Sequence, residues 1–211
     1  MLPADLHLPQ SRSPITRSKI LVVEGRDSFT FFTALLRLLG LLEAVEIRNS
    51  GGVDELSAYL DVFKTIVGFQ RVTSLGIVRD AEIDAGHAFQ SVCHSLTQVS
   101  LPVPPQPMAS AEGAPKVSVF LLPDCVSPGT LETLCLHSVI KDPAMACVEE
   151  YFQCVVRQGL PLPGNMPKAQ VHAFLASRSR PHLLLGQAAH EGYWSWDDPA
   201  FEPLKKFLRA L

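Results

Sequence analysis

The chain has no C-x-x-C pair, no G-x-G-x-x-G or G-x-x-x-x-G-K-[ST] loop, and no excess of basic residues. Each absence removes a class of function. The five cysteines (Cys93, Cys125, Cys135, Cys147 and Cys154) are odd in number and unpaired in spacing, so neither a disulfide framework nor a zinc knuckle is supported. Cys93 falls among apolar residues and reads as a small buried hydrophobe. Without a glycine loop there is no backbone cradle for a nucleotide. A net charge of −3 argues against a protein held on nucleic acid by charge alone. The histidines show no metal spacing, and Ser118 and Ser127 have no partnered histidine, so a serine hydrolase is not argued. No apolar run reaches the roughly 18 residues that cross a bilayer. The segment Met1 to Ser18 lacks the apolar centre of a secretory leader and reads as a flexible tail. A cytoplasmic protein with no membrane partner is expected.

What the sequence does contain is a set of apolar runs that end on carboxylates. Lys19-Ile20-Leu21-Val22-Val23 leads into Glu24. Leu75-Gly76-Ile77-Val78-Arg79 leads into Asp80, with Glu82 and Asp84 close behind. Lys116 to Pro123 leads into Asp124. Runs of this kind are strands buried on both faces, as in parallel sheets. In an open parallel sheet the carboxyl ends of the strands share one edge, and ligands bind there. Adjacent strands lie about 4.8 Å apart, so acids at neighbouring strand ends can reach one small, hard cation such as magnesium.

Helical periodicity follows each strand. The spacing predicts a helix over 28–41, opened by Asp27 or Ser28, and a strand over 44–47 nearer the sheet edge. Ser50-Gly51-Gly52 reads as a turn, and Leu56, Leu60, Phe63 and Val67 mark the next helix. Strand 72–79 leads to a helix through Ala88, Val92 and Leu96, for which Asp84 is the natural cap. The Pro-rich stretch 101–114 is a lid or an insertion, and having nothing chemically distinctive it reads as an insertion. After strand 116–123, Ser127-Pro128 predicts a helix start, with serine as N-cap and proline at the first helical position. The expected fold is α/β, a Rossmann-like, mostly parallel sheet over 19–140, with a helical C-terminal appendage over 141–211 packed on it.

Val22-Val23-Glu24-Gly25, followed by an apolar strand ending Asp80-Ala81-Glu82, resembles the Toprim domain. The runs Gly76 to Ala81, Leu122-Pro123-Asp124 with Pro128 to Cys135, and Gly192 to Asp197 are similar to an uncharacterised bacterial family of OLD-nuclease-like Toprim proteins. The resemblance implies magnesium or manganese held by acids, and phosphodiester chemistry on nucleic acid. Carried across, Glu24 is a general acid/base or a metal ligand, and Asp80 is a catalytic metal ligand. Glu82, Asp124 and Glu132 complete the metal set. The second acid of the Toprim Asp-x-Asp pattern is here Glu82, which keeps the charge on a longer arm. OLD-type nucleases join their Toprim unit to an ATPase, and this chain contains no ATPase. A separate ATPase subunit is therefore an expected partner if the chain is a non-catalytic regulatory or interaction subunit instead of a nuclease.

Several residues keep two readings at this level. Arg26 and Arg79 sit beside Glu24 and Asp80 and serve either as phosphate contacts or as charge balance. Lys168, Arg178 and Arg180 form a basic group that reads as a solvated helix face before it reads as a nucleic-acid contact. Trp194 and Trp196 pin the terminal segment to the core, with base stacking as the alternative. His87 and His94 belong on a helix surface.

Overall fold

The computed structural model describes residues 13–51 and 56–211. The apolar runs become strands β1 (Lys19–Val23), β2 (Val45–Asn49), β3 (Ser74–Asp80) and β5 (Lys116–Leu122), and a short β4 (Ser110–Ala111) precedes the last of these. The sheet order is β2-β1-β3-β5-β4. All neighbours are parallel except β4 and β5. Helices α1 (Gly25–Leu38), α2 (Leu56–Thr65), α3 (Ala85–Gln98) and α4 (Leu131–Ser138) alternate with the strands, and α5 (Pro143–Arg157), α6 (Met166–Ala176), α7 (Leu185–His190) and α8 (Glu202–Arg209) complete the described chain. This is the expected α/β, Rossmann-like architecture.

Strand alternation splits the core in two. Leu21, Val23, Val78, Phe120 and Leu122 point to the face covered by α1, α4 and the C-terminal helices. Ile20, Val22, Leu75, Ile77, Val117 and Val119 point to the face covered by α2 and α3. Residues 141–211 are thus a full layer on one face. Trp194 is sealed and stacks on Phe174 at 5.5 Å, while Trp196 lies 5.3 Å from Phe31. Phe207 meets Phe120 at 5.4 Å, and Leu211 packs on the bare backbone of Gly76, where a Cβ would stand 2.6 Å from its Cδ2. Burial of each such side chain contributes about 1.5–3 kcal/mol. Both tryptophans are pins, as their apolar setting predicts.

Several local expectations differ from the structure. Helix α1 starts at Gly25, whose φ of +81° turns the chain directly out of β1, so Glu24 and not Asp27 or Ser28 holds the N-cap position. Helix α4 starts at Leu131 behind Thr130, not at Ser127-Pro128. The reason is competition: the Ser127 N–H and hydroxyl both donate to Asp124, closing a turn before the helix begins. The 101–114 stretch supplies β4 and pairs with Val117 and Ser118, at the amino end of β5. It lies at the sheet edge away from the strand ends that carry the acids, which is an insertion and not a lid. Residues 1–12 lie outside the described residues, as does Gly52 of the glycine turn. The rest of the expected tail is anchored: Ile15 is buried, and Arg48 donates to the carbonyls of Ser13 and Pro14. Cys93 is only partly buried, whereas Cys135 is sealed. His87 and His94 are exposed. No helix among the described residues is long and apolar enough to cross a membrane.

Candidate functional site

Parallel pairing brings the carboxyl ends of β1, β3 and β5 to one rim. Asp80 is the last residue of β3 and lies opposite Leu122. Alternation puts its side chain on the α1 and α4 face, with Val78. There Oδ1 accepts the N–H of Leu131, the first residue of α4, at 2.9 Å. Burial raises the Asp80 carboxyl most, and the negative charges of Glu132, Glu82 and Glu24 raise it further against the Leu131 hydrogen bond, to about 7. This aspartate therefore titrates near neutral pH, where an ordinary aspartate is fully ionised.

The other acids arrive from separate elements. Glu24 holds the extended N-cap position of α1. Glu132 lies in the first turn of α4. Glu82 is exposed and adopts a left-handed φ of +54°. Its backbone is tied to the turn after β5: Glu82 N–H donates to Gly129 O at 2.9 Å, and Gly129 N–H donates back at 2.7 Å. The loops after β3 and β5 are thereby one unit. Each displays a bare apolar side chain at the rim, Ile83 at 91% exposure and Val126 at 82%. Asp84 is the cap of α3, accepting from His87 N–H at 2.7 Å.

Asp27, read from the sequence only as a helix cap, joins this field. Burial raises its carboxyl, the N–H of Gly186 opposes that, Glu132 raises it, and Lys168 and His172 of α6 lower it. The C-terminal layer is what encloses it. Gly186 of α7 sits so close to Asp27 O and Thr30 that a Cβ there would overlap both. A glycine inside an apolar helical stretch is the one sequence sign of that approach.

Asp124 does not join the cluster electrostatically. Burial pulls its carboxyl up, but the N–H groups of Ser127 and Val126 and the Ser127 hydroxyl outweigh that and hold it below the ordinary range. Oδ1 accepts from Val126 at 2.9 Å and Ser127 at 2.6 Å, and Oδ2 accepts the hydroxyl at 2.9 Å. Its neighbour Cys125 is held as a thiol, raised by burial to about 11. Among the described residues, no group of three or more His, Cys, Asp or Glu side chains stands ready to hold a metal ion.

The basic residues divide as well. Arg26 is exposed and Arg79 is buried. Arg178 pairs with Asp142 at 2.8 Å and lies 4.0 Å over the Phe174 ring, and Arg180 pairs with Glu191. Those two arginines stitch the C-terminal layer together.

A family model described as "Protein of unknown function (DUF3226)" matches residues 18–211. The chain belongs to that family. No curated protein and no solved structure matches it.

Proposed function

We propose that this member of the DUF3226 family uses the rim of Glu24, Asp80, Glu82 and Glu132 to hold a divalent cation, magnesium or manganese, for Toprim-type phosphodiester cleavage or transfer on nucleic acid. The observation that carries the reading is the Asp80 carboxyl, raised to about 7 by burial and by acids from three other elements. Carboxylates gathered against their mutual repulsion are the donor chemistry a hard cation takes. The donor types fit such an ion, although no three of them are pre-set in a coordinating arrangement among the described residues. A bound cation would supply charge neutralisation at phosphate oxygens.

The chain's own contribution is clear at the level of protons. Leu131 fixes one oxygen of Asp80 and leaves the other free for a ligand. A cation held there would have to displace the Asp80 proton, so its affinity would rise with pH through about 7. Glu24, at the mouth of the first strand, is the candidate general acid/base. The test is thermal unfolding in a magnesium or manganese series, with nicking of DNA and RNA measured alongside. Wild-type protein is expected to melt higher with metal, and Asp80→Asn to lose both the shift and the cleavage. An unchanged melting temperature at millimolar metal removes the reading.

A second reading is favoured by Ile83 and Val126. Bare apolar side chains on linked loops suit a protein partner better than a phosphate backbone. In that case the rim belongs to a non-catalytic regulatory subunit that works with a separate ATPase. Purification of the native complex without any ATPase counts against it.

A further inference from the structure

Arg79 precedes Asp80 on β3, so strand alternation sends its side chain to the opposite face, with Leu75 and Ile77 beneath α2 and α3. It is 8% exposed. A guanidinium at that depth ordinarily has a carboxylate partner, because burying an unpaired charge costs several kcal/mol. Arg79 forms no ion pair among the described residues. Its hydrogen bond runs from Nη1 to Ser91 Oγ of α3 at 3.1 Å. The contrast is Arg48, 2% exposed, which is held by Glu46 and by the carbonyls of Ser13 and Pro14.

The rest of the Arg79 fork is open. Nε and Nη2 form no hydrogen bond among the described residues. Ser91 is exposed. Its oxygen receives Arg79, which leaves its own proton to donate outward. Glu24 occupies the neighbouring register position, two residues beyond the Val22 and Ile77 pair.

We propose that Arg79 and Ser91 form an oxyanion site that takes a phosphoryl group on the α3 side of β3. The planar fork offers two parallel N–H donors, the geometry that matches phosphate, and the serine hydroxyl adds a third. The site lies across β3 from Asp80 and needs no metal, so it goes beyond the cation reading and stands or falls without it. Arg26, exposed on α1, is not part of it.

The experiment uses full-length protein in EDTA with inorganic phosphate as the probe, against chloride at equal ionic strength. Phosphate is expected to raise the melting temperature of the wild type by a few degrees. Arg79→Met is expected to abolish the shift, and Ser91→Ala to weaken phosphate affinity about threefold to tenfold. Arg79→Lys keeps the charge but not the fork, and is expected to bind about tenfold more weakly than wild type. A wild type that ignores phosphate overturns the site, and so does a shift that survives in Arg79→Met. If Arg79→Met does not fold, Ser91→Ala carries the test at an exposed position, and unchanged phosphate affinity there overturns the site.

Discussion

Strands β3 and β5 run side by side in register, and each leaves the sheet onto an aspartate, yet the two carboxylates end in opposite states. Asp80 is raised to about 7. Asp124 is lowered. The difference lies in where the next few N–H groups go. After Asp124, the N–H groups of Val126 and Ser127 turn back onto the carboxylate. After Asp80 they are spent on the neighbouring strand end: Ala81 N–H donates to Leu122 O and Glu82 N–H to Gly129 O. Leu131, from a distant part of the chain, then supplies the Asp80 carboxylate with its N–H donor. An acid at a strand end is thus a local structural cap when the loop folds back on it. It is left for burial and neighbouring acids to raise only when the loop is drawn elsewhere.

The largest expected effect comes from Asp80→Asn, which keeps the oxygen that accepts Leu131 and removes the charge. The folded-state value of Asp80 lies above its ordinary 3.8. Stability linked to this group is therefore greatest below 3.8, falls as pH rises to about 7, and levels off above that. The variant is expected to be more stable than wild type by on the order of 4 kcal/mol at pH 8, and equal to it in acid. Urea unfolding at both pH values measures this. A variant less stable than wild type at pH 8 would erase the contrast between the two strand ends.

Gly129→Ala attacks the tie between the two loops. Gly129 has a φ of +141°, and an added Cβ would lie 2.9 Å from Thr133 Oγ1. A loss of about 2 kcal/mol is expected, read by the same unfolding curves. Asp124→Ala follows at about 1 kcal/mol, the worth of a good cap. Because the folded-state value of Asp124 is depressed, its stabilisation is present above 3.8 and disappears as pH falls through the lowered value. The gap between wild type and Asp124→Ala should therefore close in strong acid, while the Asp80→Asn gap opens with alkali. Parallel pH profiles for the two variants would mean that the strand ends are equivalent after all.

The layered fold was legible because it rests on local pattern. Apolar runs such as Ile20 to Val23 and Val117 to Leu122 are buried on both faces, and helical spacing follows them. Glu24 and Asp80 were legible for the same reason, as the residues where those runs stop. The state of each acid was not. Ser127-Pro128 carries a sound helix-start signal, but Asp124 three residues earlier takes the same serine, and sequence does not say which partner wins. Asp27 looks like any acid in a first helical turn. Its burial depends on Gly186 arriving from α7, a contact spanning most of the chain. The Glu82 and Gly129 bridge is likewise a pairing between distant loops that no local motif announces.

The smallest effect is the most discriminating. Glu132 is the charge that contributes most to raising Asp80, and it also raises Asp27. Glu132→Gln is expected to lower the titration midpoints of Asp80 and Asp27 together, each by less than about one unit. Asp124 is expected not to move, because the charge acting on it is that of His137. Carbon-detected NMR titration of the aspartate carboxyls follows all three at once. Movement of Asp80 and Asp27 alone would mark them, with Glu132, as one electrostatic unit built across β3, α1 and α4. A midpoint for Asp80 that stays near 7 in Glu132→Gln would mean that burial alone sets it, and the rim acids would then have no common field for a cation to relieve.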